Sequence, residues 1–575
     1  MHLQRQQRLL FLSSPLFEYQ SHKKNRFVSR FPAIPRLLYF ATNRRNTCST
    51  AEFAGRLKKI LETFTNSTRF VLSILDSTYE KMFASLITSD NMRGTLRFAP
   101  RSRVEALMRK LFLTALSLAA ISLIVSRLTA APNHILAFTH VKLIDGTGSP
   151  VQEGMTVVVR DSRIAEISED GKPPEDAKVI DASGKYLIPG LWDMHVHEIF
   201  GDWIPEDEKI TPLLFVTNGI TGVRDMGGDL EPLKRWRSRI ASGEMIGPRM
   251  IIAGPMLDGP ISQFPSSAPV KDAADGRNWV DKLKDDGADF IKIQSLIPRD
   301  GYFAAAAEAK KRGIVFCGHI PDKIRAMEAA NAGQKSVEHL TGVFEGCSSV
   351  EDELMAKPRG PGRGRFLSTY DPEKARALLA LFVKNHTWQC PTLVWEKGEW
   401  LIEQTNSGTD PLAKYAPAAW RERTWPMFTN AITKGWSSDP LPDREAFVRA
   451  EFKMVNDMKK DGIGILAGTD TAAGVRVYPG FSLHTELELL VEAGLTPMEA
   501  LQSATKNAAE YFELPDSGTV EKGKRADLLL LDANPLESIS NTRRIRSVVL
   551  NGRYFSREDL DGLLHTIETA AAKSK

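Results

Sequence analysis

Cysteine is scarce in this chain, with four among 575 residues. Cys48 lies far from the others, and Cys317, Cys347 and Cys390 lack the close paired spacing of a zinc-binding cluster. Cysteines in this number and arrangement exclude a fold that is held together by a disulfide framework. We therefore expect them to be small buried residues.

Long hydrophobic runs are scarce too, and the one that stands out is short. Arg109 and Lys110 precede fifteen largely apolar residues, Leu111 to Val125, and small residues follow at 129–131. This is the layout of a secretory signal peptide. Because fifteen residues are fewer than the roughly 20 that cross a bilayer comfortably, the pattern predicts a cleaved signal over 108–131. An uncleaved anchor or a buried helix is the alternative.

The first 107 residues lack acidic charge. They contain 18 Lys and Arg but only 7 Asp and Glu. Because a signal is normally read at the N-terminus, we interpret this stretch as a mis-assigned extension and expect translation to begin at Met108. A genuine basic leader is the alternative, and a native protein whose N-terminus precedes Met108 would contradict our interpretation.

The body of the chain lacks an excess of basic charge. The net charge of the whole chain is +4, but the positive excess lies in the first 131 residues, and acidic side chains outnumber basic ones over 132–575. A nucleic-acid-binding domain needs basic charge on its binding surface. We therefore expect no nucleic-acid partner. The length leaves room for two or three domains, as in a large enzyme with appendages.

Both ends of this body have the pattern of short strands. Apolar and polar residues alternate there, and the runs break at Gly, Asp and Pro. The segments are AFTHVKLIDGTG, MTVVVRDSRIAEIS, AKVIDASGKYLIPG, GTVEKGKRADLLLLD and IRSVVLNGRYF. We predict that residues 132–190 and 513–560 form one β domain assembled from both ends of the chain, and that 561–575 is a C-terminal tail.

Between these flanks, residues 191–512 repeat a short apolar run followed by a helical stretch. This alternation predicts βα units and a parallel sheet, and eight units close naturally into a barrel. The eight strand candidates are YLIPGLWDMHVH, GITGVRDMGG, PRMIIAGPM, FIKIQ, IVFCGHI, SVEHL, QCPTLVW and GIGILAGTD. The predicted fold class is therefore α/β, a TIM-like (β/α)8 barrel.

Two segments interrupt this rhythm. KPRGPGRGRF, at 357–366, is interpreted as a solvated loop, because no strand feeds it as a nucleotide-binding loop requires. The Trp-rich stretch 396–463 is long for a connection, and it either caps the barrel mouth or packs as an appendage. After it, Thr496, Pro497 and Glu499 predict a helix start with a capping box.

Histidine is scarce, with 11 in the chain, yet several stand where predicted barrel strands end. His195 and His197 end the first strand, and residues two apart on a strand point to the same side, so both imidazoles can face one ion. Barrel active sites lie at this edge. Four later strands end with further candidate ligands, which are Lys292, His319, His339 and Asp470. Each signal is weak alone, but the set indicates a metal site. Arg224 and Asp225, at the end of the second strand, are expected to pair with one another, and substrate binding is the alternative.

With these motifs the chain resembles the amidohydrolase superfamily of metal-dependent hydrolases over roughly residues 135–555. More narrowly, it is similar to the imidazolonepropionase-related and prolidase-like branch. The motifs are GLWDMHVH, GITGVRDMGG, GADFIKI, GHIP, SVEHL, AGTD and KGKRADLLLLDANPL. The resemblance implies a distorted (β/α)8 barrel over 191–512 with a flanking composite β-sandwich, built from both ends of the catalytic region.

The resemblance also implies a site for two divalent ions, which we expect to be zinc. One ion would be held by His195, His197 and Asp470, and the other by His319 and His339. Imidazole and carboxylate ligands accept several divalent metals, so the identity of the ion stays open.

Lys292 would bridge the two ions. An ammonium group has no lone pair to give, so bridging requires that CO2 convert the amine to a carbamate, a carboxylated lysine. The alternative is an ammonium paired with Asp470 or Glu338, with a single metal as its consequence.

The activity that the resemblance implies is cleavage of a carbon–nitrogen bond, in an amide or as a dipeptidase, by a metal-activated water. Asp470 would be the general base that passes the proton to the leaving amine. A cyclic amidase of the imidazolonepropionase type is one alternative, and a non-catalytic barrel scaffold is another. Phosphotriester or lactone hydrolysis also stays open, because a fold does not choose a substrate.

The expected partners are a small-molecule or short-peptide substrate and, by resemblance, a second copy of the chain in a homo-oligomer. The predicted signal implies a secreted or periplasmic protein, with no stable membrane insertion after cleavage and an anchored form if the signal stays uncleaved.

Overall fold

The computed structural model describes residues 135–262, 264–356, 364–405, 409–436 and 439–574. The predicted leader, the predicted signal and most of the loop at 357–366 lie outside these ranges. Among the described residues, no helix is long and apolar enough to span a membrane.

The described strands and helices alternate through the middle of the chain and leave strands at both ends. The strands are β1 (Ile135–Leu143), β2 (Gln152–Arg160), β3 (Arg163–Glu169), β4 (Lys178–Asp181), β5 (Tyr186–Pro189), β6 (Leu191–Val196), β7 (Ile220–Asp225), β8 (Arg249–Ile252), β9 (Met256–Asp258), β10 (Ser267–Pro269), β11 (Phe290–Ile293), β12 (Val315–Gly318), β13 (Ser336–Glu338), β14 (Trp388–Cys390), β15 (Leu528–Leu531), β16 (Ile545–Leu550) and β17 (Arg553–Phe555). The helices are α1 (Thr211–Thr217), α2 (Leu230–Ala241), α3 (Ala273–Asp286), α4 (Arg299–Arg312), α5 (Ala326–Asn331), α6 (Val343–Gly346), α7 (Glu351–Met355), α8 (Gly364–Ser368), α9 (Pro372–Asn385), α10 (Leu393–Trp400), α11 (Ile402–Thr405), α12 (Trp425–Trp436), α13 (Leu441–Lys460), α14 (Phe481–Glu492), α15 (Pro497–Ser503), α16 (Lys506–Tyr511) and α17 (Arg557–Lys573).

The flanking β region is one eight-stranded sheet drawn from residues 135–189 and 528–555. Its order is β17-β16-β15-β5-β1-β2-β3, and β4 lies beside β1. The two parts of the chain meet where β5 pairs antiparallel with β15, with Leu187 opposite Leu530.

Strand β15 consists of four leucines because both of its faces are buried. Leu528 and Leu530 belong to the hydrophobic core of the sheet itself, whereas Leu529 and Leu531 belong to the large core shared with the barrel helices. A strand with two buried faces needs no polar alternation. This strand therefore packs the sheet firmly against the barrel.

The central region has the parallel pairing of a TIM-barrel type fold. One sheet has the order β6-β7-β8 and the other the order β10-β9-β11-β12-β13-β14. The predicted eighth strand forms no regular strand, but its segment lies between β14 and β6. There the Leu466 N–H donates to the carbonyl of Gln389, and the Met194 N–H donates to the carbonyl of Ala467.

Besides the eighth, three predicted strands differ from those observed. The first predicted strand is divided at Gly190 into β5 and β6, which belong to different sheets. The chain passes so close to Thr221 at this point that a Cβ on residue 190 would lie 2.3 Å from the Thr221 hydroxyl. The third is divided into β8 and β9. The seventh ends at Cys390, because Pro391 lacks an N–H to continue the ladder, and the residues after it form α10.

The Trp-rich insertion packs on the loops at the carboxyl ends of the barrel strands. Trp420 and Trp425 are buried in one cluster with Phe200 and Tyr478, which follow β6 and the eighth strand segment. The rings of Trp425 and Tyr478 are 5.6 Å apart and perpendicular. The insertion therefore lies over the barrel mouth.

The segment predicted to be a C-terminal tail is instead mostly helix. Helix α17 begins after a capping box formed by Ser556 and Asp559, and its Ile567 is buried against Leu214 of α1. The capping box predicted at Thr496 is confirmed. The cysteines at 317, 347 and 390 are buried and free, as expected.

Candidate metal centre

Three of the predicted site histidines converge on the carboxylate of a fourth site residue, Asp470. The Nε2 atom of His197 lies 3.1 Å from Oδ1 of Asp470, and that of His195 lies 3.5 Å from the same oxygen. The Nε2 atom of His339 lies 3.8 Å from Oδ2. All four side chains are buried. Residues from three separate strand ends thus present three nitrogen atoms and two oxygen atoms to one small volume.

His319 lies beside this group. Its ring centre is 5.0 Å from that of His339, and the two rings are perpendicular. The parallel register of β12 and β13, with Gly318 opposite Val337, brings the two strand ends side by side. The structure therefore places the fourth histidine of the predicted set next to the third.

Lys292 is buried in the barrel with only 1% of its surface exposed, and its Nζ atom has no hydrogen-bond partner. No ion pair joins Nζ to Asp470 or Glu338, although the negative charges of both favour the ammonium form. Burial lowers the pKa of the Lys292 amine. A lowered pKa favours the neutral amine, which is the form that reacts with CO2.

Each of the four histidines uses its Nδ1 atom for a hydrogen bond within the protein. The partners are Glu338 for His195 at 3.0 Å, the Gly227 carbonyl for His197 at 2.7 Å, Ser295 for His319 at 2.9 Å and Thr392 for His339 at 2.6 Å. Donation from Nδ1 leaves the Nε2 lone pair available, as in histidines that bind metals.

Behind His195, an ion pair buried at both ends holds Glu338. The Nη2 of Arg224 donates to Oε2 of Glu338 at 2.8 Å, and the hydroxyl of Ser336 donates to Oε1 at 2.5 Å. The expected pairing of Arg224 with Asp225 is therefore wrong, because adjacent strand residues point to opposite faces. Asp225 instead accepts the backbone N–H of Glu198.

Two of the converging residues have left-handed backbone conformations. The φ angle is 59° at both His339 and Asp470, and it is 50° at Thr392, the hydrogen-bond partner of His339. Such conformations are costly for non-glycine residues and cluster at functional sites. The strain therefore marks the same place as the converging side chains.

The protonation states suit a cation. Burial lowers the pKa of His195, and it lowers that of His339 to about 3, so both rings are neutral near pH 7. Burial opposes ionisation of Asp470, but the neighbouring His197 and His339 keep its pKa below the ordinary value. Burial lowers the pKa of His197, but its hydrogen bond to Asp470 raises it above the ordinary value, so binding of a cation would displace a proton from this ring. The neutral imidazoles of His195 and His339, the ionised carboxylate and the buried amine make a donor set that fits a divalent ion.

A second group of donor atoms, from His195, Glu338 and Cys390, is less suited to a cation. Arg224 already neutralises Glu338. Burial raises the pKa of the Cys390 thiol well above its usual range, so the thiol stays protonated. Ligation by sulfur needs the thiolate.

Sequence reasoning missed three neighbours of the ligands. Glu198 is buried directly after His197, and burial raises its pKa to about 8. The ring of Phe200 lies 5.0 Å from that of His197, and the ring of Trp395 lies 5.1 Å from that of His339. Glu198 and Phe200 could have been identified because they follow His197 directly in the HVHEIF stretch. No sequence motif indicates that Trp395 lies near the site.

The sequence model of the amidohydrolase family matches residues 186–554. The chain belongs to the amidohydrolase family. This amidohydrolase is 23% identical over 411 residues to L-hydantoinase of Paenarthrobacter aurescens, an alignment that covers 65% of this chain and 81% of the relative. It is 24% identical over 459 residues to ochratoxinase of Aspergillus niger, covering 69% and 81%.

A solved structure supports the fold of this amidohydrolase. A putative prolidase from Bifidobacterium longum matches with a TM-score of 0.56 and 22% identity, covering 76% of this chain and 100% of that one. Members of the family depend on metal ions, and the chain is a hydrolase that acts on carbon–nitrogen bonds.

Proposed function

We propose that this amidohydrolase cleaves an amide or a dipeptide with a metal-activated water. The observation that carries the proposal is the convergence of three imidazole nitrogens on the Asp470 carboxylate, beside the buried amine of Lys292. In the proposed fold, the segment 462–470 closes a (β/α)8 barrel over 191–512. The flanking sheet, from 132–190 and 513–560, folds as a composite β-sandwich.

We assign two zinc ions to the site. His195, His197 and Asp470 would hold one, and His319 and His339 would hold the other. Lys292, as a carbamate, would be a ligand shared by both ions. Bound ions would polarise the substrate carbonyl and bring the pKa of a water close to neutrality.

The protein side chains then manage protons and orientation. The ionised Asp470 carboxylate accepts a proton from the attacking water and delivers it to the departing amine, which must be protonated to leave. Glu338 and the Gly227 carbonyl hold the His195 and His197 rings in orientation through their Nδ1 atoms. Phe200 and Trp395 place apolar rings against the ligands and restrict water there.

A cyclic amidase of the imidazolonepropionase type is the second candidate. The relative named L-hydantoinase favours it. Lys292 weighs against it, because the resemblance implies a mononuclear site without a bridging carbamate for that type. A non-catalytic scaffold is set aside, because all six ligand positions are filled.

The deciding experiment assays the metal-loaded protein on dipeptides, N-acyl amino acids, hydantoin and imidazolonepropionate, before and after removal of the metal by a chelator. We expect the linear amides to be hydrolysed, activity to disappear with the metal and zinc to restore it. Ring opening alone would favour the cyclic amidase, and activity that survives chelation would contradict the metal-dependent mechanism.

A matched pair of variants controls for the loss of a histidine. His339→Asn removes a proposed ligand, whereas His140→Asn changes a histidine whose side chain is 65% exposed on the flanking sheet. We expect the first substitution to abolish activity and the second to leave it unchanged.

We further propose a secreted or periplasmic location and a homo-oligomer. The location rests on the signal pattern at 108–131, and cell fractionation tests it. The proposal of an oligomer rests on resemblance. Size-exclusion chromatography with light scattering tests it by measuring the molar mass of the protein.

A further inference from the structure

A cavity of about 1130 Å³ lies at the end of the barrel opposite to the candidate metal centre. It is bounded by the residues that begin the parallel strands, including Arg249 of β8, Phe290 of β11 and Val315 of β12, whereas the proposed ligands stand where such strands end. Residues 511–514 and 549–553 are near its other walls. We call this space the basal cavity.

Positive charge predominates in the basal cavity. Five basic and three acidic side chains line it, namely Arg237, Arg249, Lys335, Arg525 and Arg553 against Asp289, Glu513 and Asp527. Two of the acids are already paired, because Asp289 accepts from Arg237 at 2.5 Å and Glu513 lies 3.4 Å from Lys335. Asp527 accepts the backbone N–H of Asn551 at 2.6 Å. Asp527 also interacts electrostatically with Arg525 and Arg249, without an ion pair to either. With five basic and three acidic side chains, the lining keeps an excess of positive charge.

Arg249 is the centre of this excess. Its guanidinium is half-buried and forms no ion pair with any carboxylate in the described part of the chain. It donates one long hydrogen bond to Ser517 at 3.5 Å and lies over the ring of Trp192 at 5.9 Å. The neighbouring Arg525 shares a single carboxylate, Asp516, with Arg163. A half-buried guanidinium next to a second one is costly without a counter-ion.

The walls of the cavity supply apolar surface. Phe290, Phe512, Leu514 and Phe555 line it together with Tyr511. The volume is that of a site for a small organic molecule. A guanidinium binds a carboxylate or phosphate through two parallel hydrogen bonds, and the aromatic walls suit a hydrocarbon body next to that headgroup.

We propose that the basal cavity binds an organic anion, a carboxylate or phosphate joined to an apolar body, through Arg249 and Arg525. The anion places a counter-charge in direct contact with Arg249, which no carboxylate of the described residues contacts, and the body displaces water from the aromatic walls. This site is separate from the proposed active site, and its existence does not depend on the reaction proposed there.

The test is isothermal titration calorimetry on the metal-loaded full chain with 4-phenylbutyrate. 4-Phenylbutan-1-ol serves as the neutral analogue and inorganic phosphate as the anion without a body. The variants are Arg249→Gln and Arg525→Gln. Arg376→Gln is the matched control, because it changes an exposed arginine on α9. Circular dichroism verifies that each variant is folded.

We expect 4-phenylbutyrate to bind, and each cavity variant to weaken its binding at least tenfold while Arg376→Gln has no effect. The neutral alcohol and phosphate should bind at least tenfold more weakly. Absence of binding to the unmutated chain, equal binding by either cavity variant, or equal binding of the alcohol or of phosphate would overturn the proposal.

Hydrogen exchange on the unmutated protein gives a second measurement that needs no variant. With 4-phenylbutyrate bound, protection should increase in 511–514 and 549–553. Protection confined to 195–200 would place the anion at the metal centre and overturn the assignment to the basal cavity.

Discussion

Lys292 shows how much of the chemistry depends on one side chain. A lysine in a barrel core is costly as an ammonium, and this one has no partner to offset that cost. Burial lowers its pKa and makes the amine available for reaction. The proposed conversion to a carbamate would make a metal ligand of an amine that has no hydrogen-bond partner.

Replacement of Lys292 by alanine should therefore lower the metal content from two ions per chain to one or none, and it should abolish amide hydrolysis. Mass spectrometry of the metals measures the first effect. Lys453→Ala, which changes a lysine 70% exposed on α13, is the control. One ion in both the unmutated chain and Lys292→Ala would make Lys292 structural.

Arg224 makes a second prediction at the residue scale. Its partner Glu338 is fully buried and also orients His195. Arg224→Met leaves that carboxylate without its cation, and breaking a buried pair in this way costs about 3–5 kcal/mol. Urea denaturation should show a markedly lower midpoint. Arg376→Met, at an exposed ion pair, should leave the midpoint almost unchanged.

At the scale of an element, the segment between β14 and β6 is held close to β6 by a glycine. Gly468 lies where an added Cβ would be 2.6 Å from the Cys390 sulfur and 2.8 Å from Cβ of His195. Only glycine allows this segment to approach β6 so closely. The close approach positions Asp470, two residues later, beside His195.

Gly468→Ala should therefore displace His195 and weaken metal binding at least tenfold, because overpacking of a tight core forces neighbouring groups to shift. Competition with a fluorescent zinc chelator measures the affinity. Gly435→Ala is the control, since a Cβ there meets no atom within 4 Å. Equal zinc affinity in the two variants would contradict the positioning role of Gly468.

Helix α14 contains a buried acid that couples stability to pH. Glu486 is fully buried and accepts the backbone N–H of Val394 at 2.7 Å. Burial raises its pKa from 4.5 to about 8. The folded protein thus retains a proton on Glu486 that the unfolded chain releases. The contribution of this group to the free energy of unfolding is therefore complete below pH 4.5 and is lost as the pH rises to 8.

Glu486→Gln, which is neutral at every pH, should flatten this loss of stability between pH 5 and 8. The midpoints of denaturant unfolding at pH 5 and at pH 8 measure this loss of stability. Glu492→Gln changes an acid 59% exposed on the same helix and should retain the slope of the unmutated protein. A variant at 486 that also retains the slope would show that another group is responsible.

At the scale of the whole molecule, bound metal should stabilise the fold. The proposed ligands come from the ends of β6, β11, β12, β13 and the eighth strand segment, so a bound ion would join parts of the chain that are distant in sequence. A ligand present at 100 times its dissociation constant adds about 2.7 kcal/mol of stability. Chelation should lower Tm and zinc should restore it, as scanning calorimetry can show. An unchanged Tm would contradict a metal site built from these strands.

The local patterns were sufficient for most of the elements and for the choice of candidate ligands. Alternating apolar runs located most strands, the capping box at Thr496 located a helix start, and His195 and His197 stood out because strand geometry turns both to one side. These are properties of neighbouring residues, and short-range physics determines them.

Contacts between distant residues were decided only by the tertiary structure. Arg224 pairs with Glu338 and not with its neighbour Asp225, and the segment at 561–573 is a packed helix. The Trp395 ring faces His339, and the basal cavity collects charges from both ends of the chain. The sequence by itself determined which chemical groups are present and their local conformation. Burial and pairing depend on packing between segments that are distant in the chain, so they emerge only when the chain has folded.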